Sequence, residues 1–255
     1  MPSTLKNKVI IVTGAASGIG RSAALRLASH GAHIVLADVD EAQGHRVCAD
    51  IQQAGGSAIF VAVNVAQEEN VRDMVRMTID RFGRLDGAFN NAGIEQSNIP
   101  LHEIDTGHWH RLIGINLTGV FLCMKYQIPA MLAGGGGSIV NTASSLGQVA
   151  IPGSAEYIAA KHGVIGLTRA AAVDYARMNI RVNALLPGVT QTPMLDRGPV
   201  SLEAVEMVEH VKAAIPMGRV GSADEVAQGA VWLLSDASSY VTGSLLPVDG
   251  GYLTV

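Results

Sequence analysis

Short β-branched runs alternate with helical periodicity along most of the chain. Val9-Ile10-Ile11-Val12 is apolar at every position, as expected of a strand covered on both faces. Ile34–Ala37, Ala58–Val63, Gly87–Phe89, Ser138–Asn141, Ile180–Leu185 and Ser244–Val248 read as further strands. Between the first two strands, Gly18–His30 has the spacing of a helix, with Ile19, Ala23, Leu27 and Ala28 on one face. Helices are predicted near Glu41–Gln53 and Glu68–Phe82, and two long helical stretches near Trp109–Leu132 and Glu156–Arg177. Apolar strands alternating with amphipathic helices imply a parallel sheet with helices on both faces. The right-handed crossover rule makes that a Rossmann-like, doubly wound α/β fold. No linker or shift in composition divides residues 1–255, and Gly134–Gly137 is short enough to be a loop, so a single domain is expected.

Composition narrows the picture. Hydrophobic residues make up 48% of the 255 and charged residues 16%, enough to bury a core and too apolar for disorder. The net charge of −4 is spread along the chain, and no basic patch is present to meet phosphate, so nucleic acid is not expected as a partner. Cys48 and Cys123 stand far apart, without neighbours at metal-ligand spacing, and are expected as reduced, buried thiols. The apolar run Val9–Val12 is too short for a signal peptide or a membrane span. A soluble, cytoplasmic protein is the expectation.

The first strand runs directly into Thr13-Gly14-Ala15-Ala16-Ser17-Gly18-Ile19-Gly20, which opens the first helix. In that position Gly14 allows a sharp turn, Gly18 a close backbone approach to a pyrophosphate, and Gly20 tight packing of helix on strand. The amides of Ser17, Gly18, Ile19 and Gly20 then offer partial positive charge to phosphates. The second strand ends on Asp38, where a carboxylate can accept from the adenosine ribose hydroxyls and would repel a 2′-phosphate. Ser17 and Val39 beside it supply no cation, so NAD is expected over NADP. The half of the chain up to about residue 135 is therefore read as the cofactor half.

Tyr157 and Lys161 stand one helical turn apart on the same face. A phenol titrates near pH 10, and lowering it to about 7 takes roughly 4 kcal/mol of preferential stabilisation of the phenolate. A nearby ammonium and a positive nicotinamide ring are expected to supply it. Ser144 follows a buried strand upstream, Asn116 lies in the earlier long helix, Asn90-Asn91-Ala92-Gly93 follows the fourth strand, and Pro187-Gly188 the sixth.

Taken with the glycine turn, these ordered motifs resemble the short-chain dehydrogenase/reductase family over essentially the whole chain. The resemblance implies hydride transfer between nicotinamide and a secondary alcohol or ketone. It implies Tyr157 as general acid/base, Lys161 on the nicotinamide ribose, Ser144 (preferred to Ser145) on the substrate oxygen, and Asn116 holding a relay water. It further implies Asn91, Ala92 and Gly93 beside the adenosine half, and Pro187, Gly188, Val189 and Thr192 near the carboxamide. Asn64-Val65 stands where the family commonly has an Asp for the adenine, an imperfect match. A homotetramer is also implied, and the apolar end Tyr252–Val255 agrees with it.

Residues 192–214, with Met194, Leu195, Met207 and Val208, suggest an apolar lid over a bulky substrate. Phe121–Gln127, Val231–Asp236 and Asp249-Gly250-Gly251 resemble bacterial members of the family that oxidise cyclic alcohols and diols of the cyclohexadienediol type. Two other readings remain: an NADP-dependent 3-oxoacyl thioester reductase, which Asp38 opposes, and a non-catalytic NAD sensor, which the Tyr157–Lys161 pair opposes. No metal is expected, because His102, His108 and His110 lack a companion cysteine or second acid and read as solvated loop and helix-start residues.

Overall fold

A computed structural model describes residues 5–193 and 212–255. Its centre is a seven-stranded, all-parallel sheet of order β3-β2-β1-β4-β5-β6-β9. The strands are β1 (Val9–Thr13), β2 (His33–Asp38), β3 (Ser57–Ala62), β4 (Gly87–Asn90), β5 (Gly137–Thr142), β6 (Ile180–Pro187) and β9 (Leu245–Val248). A two-residue pair, β7 (Thr190–Gln191) and β8 (Gly221–Ser222), lies apart from the sheet.

Alternation along the strands sends side chains into two cores. Ile10, Val12, Ile34 and Leu36 face α1 (Gly18–Ser29), α2 (Glu41–Gln53) and α7 (Ala223–Leu234), meeting Leu27, Val47 and Val226. Ile11 and Val35 face the opposite layer, where α3 (Glu68–Phe82), α5 (Gly119–Ala133) and α6 (Ala155–Tyr175) contribute Met74, Met124 and Val164. These side chains are almost fully withdrawn from water, each stabilising the fold by roughly 2 kcal/mol.

The predicted strands and first three helices appear within a residue or two of their expected bounds. The stretch read as one helix from Trp109 to Leu132 is instead α4 (Thr106–Ile113), a π turn (Gly114–Thr118) and α5. The backbone stays right-handed through both junctions, so the hydrophobic spacing carries no trace of the wider turn. Helix α7 was not anticipated, although its start has a capping box. Glu225 N–H donates to Ser222 Oγ at 3.2 Å, and Ser222 N–H donates back to the Glu225 carboxylate at 2.9 Å. The expected lid falls mainly on residues 194–211, outside the described residues. Among the described residues no helix is long and apolar enough to cross a membrane.

Candidate active site

The doubly wound order places β1 between β2 and β4, and the crevice opens at the carboxyl ends of the strands where the winding reverses. The glycine turn, Asp38, Asn64, Asn91–Gly93, Ser144 and Pro187–Thr192 all leave the sheet at this edge.

The cofactor side is built from backbone. Gly14 and Gly18 have positive φ (65° and 52°), which side chains other than glycine resist. A Cβ on Gly20 would lie 2.0 Å from the Gly14 carbonyl oxygen, so that helix start tolerates no side chain at all. Thr13, not singled out from the sequence, ties the turn to β4: its buried Oγ1 accepts from Asn91 N–H at 2.9 Å and Ala92 N–H at 3.1 Å. Asn91 Nδ2 donates to Thr13 O at 3.2 Å, and Thr142 Oγ1 donates to Asn91 Oδ1 at 3.3 Å. Asn91 and Ala92 thus frame the crevice by fixing the turn. Asp38 does likewise, accepting from Ala16 N–H at 2.9 Å and Asp40 N–H at 3.0 Å. Ser17 is exposed, makes no side-chain cap, and with Ile19 and Gly20 opens α1. The first-turn amides of α1 lack helical acceptors, and the glycines of the turn itself add no side chain over them. This donor set fits a dinucleotide pyrophosphate.

Asn64 is exposed, and its Oδ1 accepts from Ala66 N–H at 3.0 Å, so the oxygen expected for an adenine is already engaged in a local turn. Val65 packs its side chain into the core against Gly119, leaving only its backbone for the crevice. Pro187 ends β6. Gly188 N–H donates to Val248 O at 3.0 Å, and a Cβ on Gly188 would meet the Asp249 backbone at 2.7 Å. Val189 O accepts from Gly221 N–H at 3.0 Å, which sets the short strand pair. Thr192 rests against Gly18: a Cβ there would lie 3.3 Å from its side chain.

The catalytic side is built from buried side chains. Ser144 follows β5, accepts from Leu146 N–H at 3.1 Å, and lies close enough to Tyr157 to pull the phenol down. Ser145 exerts no such pull, so the electrostatics favour Ser144. Lys161 is buried, donates to Thr142 O at 2.8 Å, and stands 5.3 Å from the Tyr157 ring centroid. Burial lowers its pKa to about 8. Of the two positive charges expected to lower the phenol, the Lys161 ammonium makes no resolved contribution: burial pushes Tyr157 up and Ser144 pulls it down. The ammonium is turned to the Thr142 carbonyl, not to the phenol oxygen.

Asn116 lies in the π turn, fully buried. Its Nδ2 donates to Ile94 O and its Oδ1 accepts from Ile94 N–H, both at 2.8 Å. The side chain is therefore spent on the loop after β4. Gly93 fits between this residue and Lys161: a Cβ would lie 3.3 Å from Asn116 Oδ1 and 3.8 Å from Lys161 Nζ.

His108 departs from the solvated reading. Asp105 caps α4 by accepting from His108 N–H at 3.0 Å, and the imidazole Nε2 lies 3.4 Å from Oε1 of Glu156, which is fully buried. Burial pushes the Glu156 carboxyl up, but Ser97, its own first-turn amide and the His108 ring outweigh that and hold it below its usual range. Neither Glu156 nor Ser97 was legible as a site residue, since an acid in a first helical turn ordinarily reads as a solvated helix start. An open apolar groove lined by Leu101, Ile151, Ile158 and His162 is not bordered by Ser144, Tyr157 or Lys161.

Comparison with known proteins agrees with this arrangement. A family model described as enoyl-(acyl carrier protein) reductase matches residues 14–253. The chain is 48% identical to a 2,5-dichloro-2,5-cyclohexadiene-1,4-diol dehydrogenase of Sphingobium indicum, over 99% of this chain and 100% of that protein. It is 44% identical to a cyclohexanol dehydrogenase of an Acinetobacter strain, over 99% and 97% of the two chains. The solved structure of levodione reductase superposes with a TM-score of 0.93 at 37% identity, covering 98% of this chain and 99% of that one. Glycine cradle, Ser144–Tyr157 pair and buried Lys161 thus stand in a chain with full-length relatives of one kind, and the protein belongs to the short-chain dehydrogenase/reductase family of oxidoreductases, whose members use a nicotinamide cofactor.

Proposed function

We propose that the protein is an NAD-dependent dehydrogenase of secondary alcohols, taking a bulky, cyclic substrate. The observation that carries the reading is Lys161, buried and donating to Thr142 O beneath the Tyr157 ring, with Ser144 close enough to pull the phenol down. When bound, the nicotinamide takes or gives the hydride. The protein's part is the proton and the geometry. Tyr157 accepts the alcohol proton, or returns it to the ketone, while Ser144 donates to the same oxygen and stabilises its developing charge. Lys161, held by Thr142 O, meets the ribose. A water near Asn116 would link Lys161 to solvent.

Preference for NAD rests on Asp38 and its surroundings. Val39 beside it is 70% exposed and neutral, and Asp40 and Glu41 follow, so a 2′-phosphate would meet negative charge. The cyclic substrate rests on the activities named for the relatives. A homotetramer is supported by apolar side chains left in water on α5 and α6, among them Phe121 (45% exposed) and Val173 (81%). The chain end supports it less, because Leu253 packs against its own core. A cytoplasmic setting is supported by Cys48 and Cys123, both buried and unbridged.

The test is turnover of cyclic and open-chain secondary alcohols with NAD or NADP at mildly alkaline pH, followed by absorbance of the reduced nicotinamide. NAD-linked oxidation of cyclic alcohols is expected, falling about a thousandfold in Tyr157→Phe. Activity with NADP alone would overturn the Asp38 argument. Turnover of open-chain acyl thioesters in place of cyclic alcohols would make the protein a biosynthetic reductase. Tight NAD binding without any turnover would make it a sensor.

A further inference from the structure

Between β4 and the short helical turn at Leu101–Glu103 the chain runs without regular structure, yet buried side chains grip it at two points. Asn116 holds Ile94 by both backbone polar groups. Three residues on, Ser97 N–H donates to Glu156 Oε1 at 2.7 Å. The first grip lies beside Lys161, because Gly93 packs against its Nζ, and the second lies on the residue that precedes Tyr157. Ile94, Glu95 and Gln96 therefore span the catalytic pair from one end to the other, all partly buried. Gly153, at φ +71°, closes the far side: a Cβ there would lie 3.0 Å from the Asn98 backbone.

Glu156 is an expensive way to make one hydrogen bond. Its side chain is fully buried, and among the described residues neither its Oε2 nor the buried His108 Nε2 close to its other oxygen has a hydrogen-bond partner. Buried carboxylates with an unsatisfied oxygen are rare unless position matters more than stability. We propose that Glu156 is a positioning residue for the substrate: through Ser97 N–H its carboxylate fixes Ile94–Gln96 as a wall beside Tyr157, and so sets KM for a bulky alcohol. It touches no reacting atom. This rests on the reading of Tyr157 as the acid/base.

The test compares Glu156→Ala and Glu156→Gln with the wild-type protein, using cyclohexanol and 2-propanol as substrates and NADH fluorescence for cofactor affinity. Losing a charge-assisted hydrogen bond to a substrate wall predicts a rise in KM for cyclohexanol of about tenfold in Glu156→Ala, with kcat and the NADH Kd within about twofold. The small alcohol uses less of the wall and should show a smaller rise. Glu156→Gln keeps an acceptor for Ser97 and should restore most of the loss. Should Glu156→Ala fail to fold, Ser97→Pro removes the donor from the loop side and is expected to raise the same KM. An unchanged KM, a Gln variant as impaired as Ala, or an NADH Kd that rises in step with KM would overturn the proposal. A wild-type protein that binds NADH and oxidises no alcohol would instead overturn the functional reading beneath it.

Discussion

The two walls of the crevice are made of different material. On the cofactor side, shape comes from backbone and glycine, and the side chains that matter, Thr13, Asp38 and Asn91, hold the turn by bonds to main-chain groups. On the substrate side, shape comes from buried side chains of distant helices, some with polar atoms left unpartnered. A pyrophosphate is the same in every dinucleotide, so a backbone cradle can be built once. An alcohol substrate differs from relative to relative, and a wall hung from a few side chains can be re-hung by substituting them. The same contrast appears within the polar core. Gln127, Asn90, Asn141 and Thr168 form a buried chain in which each bonds the next at 2.8–3.0 Å.

Four substitutions test how deep this difference runs. The largest effect is expected at the catalytic wall, from Lys161→Met, with turnover down about a thousandfold. Stability should move the other way with pH. Burial sets the folded pKa of Lys161 near 8, below the unfolded value of 10.5, so the unfolded chain holds the extra proton between those values. The wild type should therefore gain about 3 kcal/mol relative to Lys161→Met as pH rises from 8 to 10.5, measured by denaturant titration at each pH. A constant difference would mean that the lysine is not desolvated.

Next comes the cradle. Gly20→Ala forces a methyl onto the Gly14 carbonyl and should cost about 3 kcal/mol of stability together with most of the NADH binding, read by melting and fluorescence. Intact NADH affinity would show the cofactor wall to be as adaptable as the other. Ser144→Ala should lower kcat about a hundredfold. The smallest effect is expected from Ser145→Ala, within about twofold, and a reversal of these two serines would move the substrate oxygen to the neighbouring residue.

Legibility in the sequence followed the same division. The cradle could be read because glycine spacing after a strand has a local cause, and Asp38 because a strand end fixes its place. Tyr157, Lys161 and Ser144 were legible from their order along the chain, and the structure brings them together. Glu156, His108 and Ser97 were not, since each looks ordinary in its own segment and gains meaning only when α4, α6 and the loop after β4 meet. The π turn escaped for a related reason: Asn116 was marked, but the two glycines bracketing its turn, Gly114 and Gly119, were its only local signal. Helix α7 is readable at its start, where Ser222 is followed three residues on by Glu225.

The contact between Gly18 and Thr192 has a practical consequence for protein engineering. Residues far apart in sequence lie within reach of one another there, because a Cβ on Gly18 would come 3.3 Å from the Thr192 side chain. Anyone grafting that segment from a relative to change substrate range inherits a hidden compatibility condition. Any side chain added at Gly18 would press on Thr192, so the two positions have to be chosen together if nicotinamide-cofactor binding is to survive the exchange.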